Sequence, residues 1–167
     1  MKSDFILNVL KQNHRHSDGW IFLSELRTAT GFNPTSELDT HRYIDAFAIH
    51  TGRNKNLLRV AYEIKVSRPD WLSEVKDCRK RTQAYFLSNR FYYAVAAGIV
   101  DPHKDTLDDC LDGCGVLEIH EDGSIQMIRA ALIREAWPMP NSFVASILRK
   151  AFRTLPEHQS SPDLLVW

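Results

Sequence analysis

The sequence predicts a mixed α/β fold, with a mixed central β-sheet flanked by helices. Three observations carry this. Residues 43–66 read as two strands around a polar turn, T-G-R-N-K-N. Residues 67–86 then carry apolar side chains at helical spacing. Phe91 to Ala97 is a nearly continuous apolar run, as expected of a strand buried in the middle of a sheet. Helix, strands, helix and strand, followed by further elements, is the order of an α/β domain.

The elements follow in order. Phe5, Ile6, Val9 and Leu10 form a helical stripe from Asp4 to about Lys11, with Ser3 or Asp4 available as its cap. N-H-R-H-S-D-G at 13–19 is a loop, and its histidines read as loop residues. Trp20 to Leu26 fits a strand or a short helix equally, and 30–40 reads as a connecting loop. Ser67-Arg68-Pro69 opens the helix after the hairpin, because Ser caps well and Pro suits a first turn. Trp71, Val75, Cys78, Thr82 and Tyr85 or Phe86 would be its buried side. Lys76, Arg79, Lys80 and Gln83 would be its basic face. Residues 101–114 are acidic and irregular. Val116–His120 and Ser124–Arg129 form a second hairpin across Glu121-Asp122-Gly123. Asn141 or Ser142 caps a last helix through about Phe152, and the segment from 154 is a tail.

Composition sets bounds. The chain has 167 residues, enough for one domain with a workable core. No apolar run approaches the ~18 residues of a membrane span, and the N-terminal stretch has no signal-peptide core. Three cysteines, Cys78, Cys110 and Cys114, cannot all pair with one another. This favours a reducing compartment, so the expectation is a cytoplasmic protein with no membrane partner. The 21 basic and 21 acidic residues balance, but not locally. Residues 52–90 hold ten lysines and arginines against four acids, and residues 101–123 hold eight acids against Lys104. That distribution fits a polyanion site with an opposite rim, or two surfaces that attract each other.

Chemistry concentrates in V-A-Y-E-I-K-V-S at 60–67. Side chains alternate along a strand, so Glu63 and Lys65 share a face with Ala61, while Val60, Tyr62, Ile64 and Val66 share the other. A buried charge needs a partner or a ligand. Asp45 interrupts the preceding strand in the same way, and Glu25 lies upstream. Carboxylates converging beside a lysine suit Mg²⁺ bound to a phosphate, because Mg²⁺ takes hard oxygen ligands and keeps several waters.

This pattern resembles the PD-(D/E)xK nuclease superfamily: Asp45, then after a hairpin Glu63-Ile64-Lys65, then a helix. R-Y-I-D-A-F-A-I, Y-E-I-K-V-S-R-P-D-W-L and N-R-F-Y-Y-A-V look most like small MmcB-type DNA-repair nucleases, over roughly residues 20–120. The resemblance implies a restriction-endonuclease-like core, with a single nuclease-like domain at 1–153 and a C-terminal tail at 154–167. It implies Asp45 and Glu63 as catalytic, metal-binding carboxylates, with the Ile64 carbonyl as a further ligand and Glu25 as the upstream acid. Lys65 would be the catalytic lysine. Ser67, Lys76, Arg79, Lys80 and Gln83 would contact DNA phosphates. The cofactor would be Mg²⁺ or Mn²⁺ and the partner DNA, leaving room for a homodimer and a DNA-repair protein partner. Position 44 is Ile rather than the Pro of the superfamily's name. The alternative is an accessory module of the same fold that binds DNA without cutting it.

Overall fold

A computed structural model describes residues 1–28, 43–77, 81–101, 104–105 and 113–154. The loop expected at 30–40, Cys78, Arg79, Lys80, Cys110, most of the acidic segment and nearly all of the tail lie outside the described residues.

Six strands form one sheet in the order β1-β2-β3-β4-β5-β6. They are β1 (Trp20–Arg27), β2 (Tyr43–His50), β3 (Arg59–Lys65), β4 (Arg90–Ala96), β5 (Gly115–Ile119) and β6 (Ile125–Arg129). β1-β2, β2-β3 and β5-β6 pair antiparallel, while β3-β4 and β4-β5 pair parallel. The helices are α1 (Ser3–Asn13), α2 (Arg68–Lys76), α3 (Thr82–Phe86) and α4 (Asn141–Thr154). The architecture is thus mixed α/β, a mixed sheet flanked by helices. None of the described helices is long and apolar enough to cross a membrane.

The first hairpin forms as its pattern predicts, Ala46 facing Tyr62 and Ile49 facing Arg59. Its turn folds as a 3-10 segment at Arg53–Lys55, followed by left-handed Asn56 and Leu57. The second hairpin joins β5 and β6 through the turn at 120–124, where Gly123 adopts φ +82°. The ambiguous 20–26 segment is a strand. Pairing with β2 decides it, since Trp20 through Ser24 lie opposite His50 through Ala46.

The two faces of the sheet are covered differently. Tyr62 and Tyr92 are register neighbours and stack on the α1 side, where Ile6, Val9 and Leu10 are buried. Glu63 and Tyr93 are neighbours on the opposite face, and Tyr93 meets the edge of fully buried Trp71 of α2. α4 closes that face near β1 by setting Phe143 edge-on against Phe47, 5.4 Å between ring centres. β3 and β4 are central and buried along nearly their whole length.

Two expectations are corrected. α1 begins after Lys2 without a side-chain cap, so neither Ser3 nor Asp4 caps it, and Phe5 stays partly exposed. The helix expected over 67–86 is two helices. Ser67 does cap α2, its hydroxyl accepting from the Asp70 N–H at 3.4 Å, but α2 ends at Lys76 and Asp77 leaves the helical conformation. The fully buried residues of α2 are Trp71 and, unexpectedly, Glu74, while Val75 is half-buried against the core.

Gly115 marks a close approach. A Cβ there would run into the Tyr92 ring and lie 2.7 Å from the Ala131 backbone nitrogen, which cannot yield easily. Gly115→Ala is expected to cost about 1–3 kcal/mol, as overpacking of a tight core does. Urea unfolding checks it, and an unchanged midpoint would contradict this packing.

Candidate active site

The site forms where β2 and β3 part. Their ladder ends at Ala46–Tyr62, and Asp45 and Glu63 would be the next pair. Instead of a strand–strand bond, the Asp45 carboxylate accepts from the Ile64 backbone N–H at 2.8 Å. The splayed strand ends thus bring two carboxylates side by side. Lys65, on the Glu63 face, reaches back so that its Nζ donates to Glu63 Oε1 at 2.8 Å. Glu63 and Lys65 are both nearly inaccessible to solvent.

α2 completes the arrangement. Its buried Glu74 places Oε2 3.1 Å from Lys65 Nζ, and Asp70, more exposed, lies 3.6 Å away. Arg81, between α2 and α3, sets its guanidinium two-pronged on Glu74, at 2.9 and 3.2 Å, and also on Glu63. Glu74 and Arg81 are seven residues apart, about 10.5 Å along an unbroken helix. The break after Lys76 brings them together.

The electrostatics follow from burial. Asp45, Glu63 and Glu74 are three carboxylates facing two cations, Lys65 and Arg81. Burial raises the Asp45 carboxyl above its usual range. Burial, reinforced by neighbouring Asp45, pushes Glu63 up to about 8 in spite of Arg81 and Lys65. Burial alone would lower Lys65, but Glu63 and Glu74 outweigh it and raise the ammonium's pKa. It therefore stays charged.

A stability effect follows with a definite sign. The folded chain holds a proton on Glu63 that the unfolded chain has released, so stability falls as pH rises from 4.5 to about 8. Thermal unfolding in chelator between about pH 5 and pH 8.5 is expected to show this loss in the wild type. Glu63→Gln should have a flatter profile. Parallel profiles for the two proteins would rule it out.

Asp45, Glu63 and Lys65 come together as the sequence suggested, with the Ile64 backbone between them. Glu25 does not join them. Its place in the β1-β2 register is opposite Asp45, but it adopts φ +48°, interrupts the ladder and is exposed. The side chain leaves the face that a regular strand would have given it. Among the described residues, no group of three or more acids, histidines or cysteines is arranged to hold a metal ion. Ser67 and Lys76 are exposed beside the site, whereas Gln83 is half-buried on α3. The continuous basic face expected from Lys76 to Gln83 is therefore divided, because two helices replace one. Arg79 and Lys80 lie outside the described residues.

Sequence reasoning missed Glu74 and Arg81. A signal for Glu74 existed: it stands three residues after Trp71, on the same helical face. His14 lies in the loop just past α1, as expected, but it is a packed residue there. It packs among Trp20, Phe22 and Tyr62, with Nδ1 2.8 Å from the Leu10 carbonyl and Nε2 3.1 Å from the Tyr62 hydroxyl. The acidic segment uses Asp105 to grip Arg68 at the start of α2, as surfaces that attract each other would.

Fold and site together define a mixed α/β protein whose six-stranded sheet carries a buried carboxylate–lysine–arginine cluster at the diverging ends of two strands. No family model matches the chain, and no curated protein matches it. Among solved structures it is similar to a protein of unknown function from Silicibacter pomeroyi, with TM-score 0.54 and 16% identity over 92% of this chain and 86% of that one. A likeness at that identity speaks to the fold alone.

Proposed function

We propose that this chain is a metal-dependent nuclease with a restriction-endonuclease-like core, hydrolysing DNA phosphodiester bonds in DNA repair or processing. The observation that carries the reading is the placement of Asp45 beside Glu63, with Lys65 on the same face. Nothing in the ordinary needs of a strand calls for three ionisable groups there, and burying them is costly.

The donor set fits a hard divalent cation. Asp45 and Glu63 would hold Mg²⁺ or Mn²⁺ through carboxylate oxygens, with the Ile64 carbonyl as the further ligand that the family resemblance implies. Two protein carboxylates suffice when water and substrate oxygens complete the shell. Such an ion supplies an activated water and stabilises charge building on phosphorus. The rest falls to the chain's own side chains. The Ile64 N–H fixes the Asp45 carboxylate. Glu63 and Glu74 keep the Lys65 ammonium charged and aimed. Lys65 orients the attacking water and balances charge on the phosphoryl oxygens. Ser67 and Lys76, exposed at the two ends of α2, offer phosphate contacts that position DNA without reading its sequence.

The test is cleavage of a labelled DNA panel with Mg²⁺ or Mn²⁺ by the wild type and Lys65→Ala. Cutting by the wild type alone is expected. Salt-dependent DNA binding without cleavage under any divalent ion would transfer the chain to the non-cleaving accessory class.

A further inference from the structure

The charge arrangement around Glu63 has one more group than the proposed chemistry uses. Arg81 contacts Glu63 Oε1, the same oxygen that receives Lys65 Nζ, while its other contacts go to Glu74. Its guanidinium is half-buried, and Lys65 already serves both Glu63 and Glu74. Lys65 and Arg81 thus both fall on one Glu63 oxygen. A divalent ion on Asp45 and Glu63 would stand against both cations, at a site where like charges repel strongly. Of the two cations, Lys65 is the more enclosed, its ammonium set between Glu63 of β3 and Glu74 of α2. Arg81 stands at the start of α3 and is the more accessible.

We propose that Arg81 competes with the divalent ion for Glu63, and that the guanidinium released by the ion turns to bind the substrate phosphate. This rests on the metal-dependent reading above and assigns Arg81 a positioning and phosphate-binding role within it. A guanidinium suits both places, since its planar fork matches a carboxylate and a phosphate equally well. Glu74 is the pivot. It keeps a two-pronged hold on Arg81 that need not break when Glu63 is surrendered. The exchange would make loading of the ion and gripping of the phosphate favour each other, because each removes the obstacle to the other.

Three measurements without turnover test this. Mn²⁺ affinity, by titration without DNA, is expected to tighten about fivefold to tenfold in Arg81→Gln, a typical coupling between competing sites. DNA affinity in Ca²⁺ is expected to weaken by about the same factor in that variant. In the wild type, labelling of Arg81 by phenylglyoxal, located by mass spectrometry, should rise on adding Mn²⁺ and fall again on adding DNA. This last measurement needs no variant, so a misfolded Arg81→Gln would not rescue the proposal. Unchanged labelling overturns it. So does Mn²⁺ affinity that is equal or weaker in Arg81→Gln while Asp45→Asn abolishes binding, an outcome that leaves the metal-dependent reading standing. If no protein in the set binds Mn²⁺, both fall together.

Discussion

Lys65→Met is expected to damage stability and chemistry together, and by separable amounts. Lys65 Nζ serves Glu63 at 2.8 Å and Glu74 at 3.1 Å, both buried. Removing it leaves two carboxylates to share Arg81. Breaking a buried ion pair from one side costs about 3–5 kcal/mol, since the remaining charge has lost its compensation. Removing a group that balances transition-state charge costs about a further 10²–10³ in rate. Denaturant unfolding reads the first effect. Cleavage at a temperature where circular dichroism shows the variant folded reads the second. Lys65→Arg should recover much of the stability and little of the rate. Wild-type cleavage by Lys65→Met would end the nuclease assignment. Wild-type stability would instead contradict the ion network drawn around Glu74.

Asp45→Asn should have the opposite profile. The asparagine Oδ1 can still accept from Ile64 N–H, now made by Asp45 at 2.8 Å, so the diverging strands keep their tie. Its loss of charge removes one carboxylate from the proposed ion site and relieves Glu63 of a like-charged neighbour. Stability is expected to stay within about 1 kcal/mol of wild type. Mn²⁺ affinity should fall at least about 100-fold, since even outer-shell partners of a metal are worth about 10–100-fold. Calorimetric titration and thermal unfolding separate the two quantities. Retained affinity would show that Asp45 is only a structural acceptor for the β3 backbone.

Comparing these two residues shows how much of the site was legible. The charges at 45, 63 and 65 stood out because each interrupts an apolar strand with a period of two, and the hairpin turn between them set the strands side by side. Arg81 and Glu74 did not stand out. The apolar spacing of Trp71, Val75 and Cys78 suggested one continuous helix, in which Glu74 falls beside the buried stripe and Arg81 is too far along to reach it. Glu74 is buried with Trp71 within α2, and the break at Asp77 returns Arg81 to it. Glu25 failed for the converse reason. Register alone would set it opposite Asp45, but a left-handed backbone turns it outward.

What the sequence determined by itself was the two hairpins, a central strand beginning near Phe91, and a face carrying Glu63 and Lys65. These depend on side-chain periodicity and turn chemistry, which act over a few neighbouring residues. The tertiary structure alone decided that β1 is a strand, that residues 67–86 form two helices, and that Lys65 is shared by carboxylates of β3 and α2. The physical reason is that a buried charge is compensated through space. Its partners are whichever groups the folded chain brings within about 3–4 Å, and in water that pairing has almost no energy until folding removes the solvent.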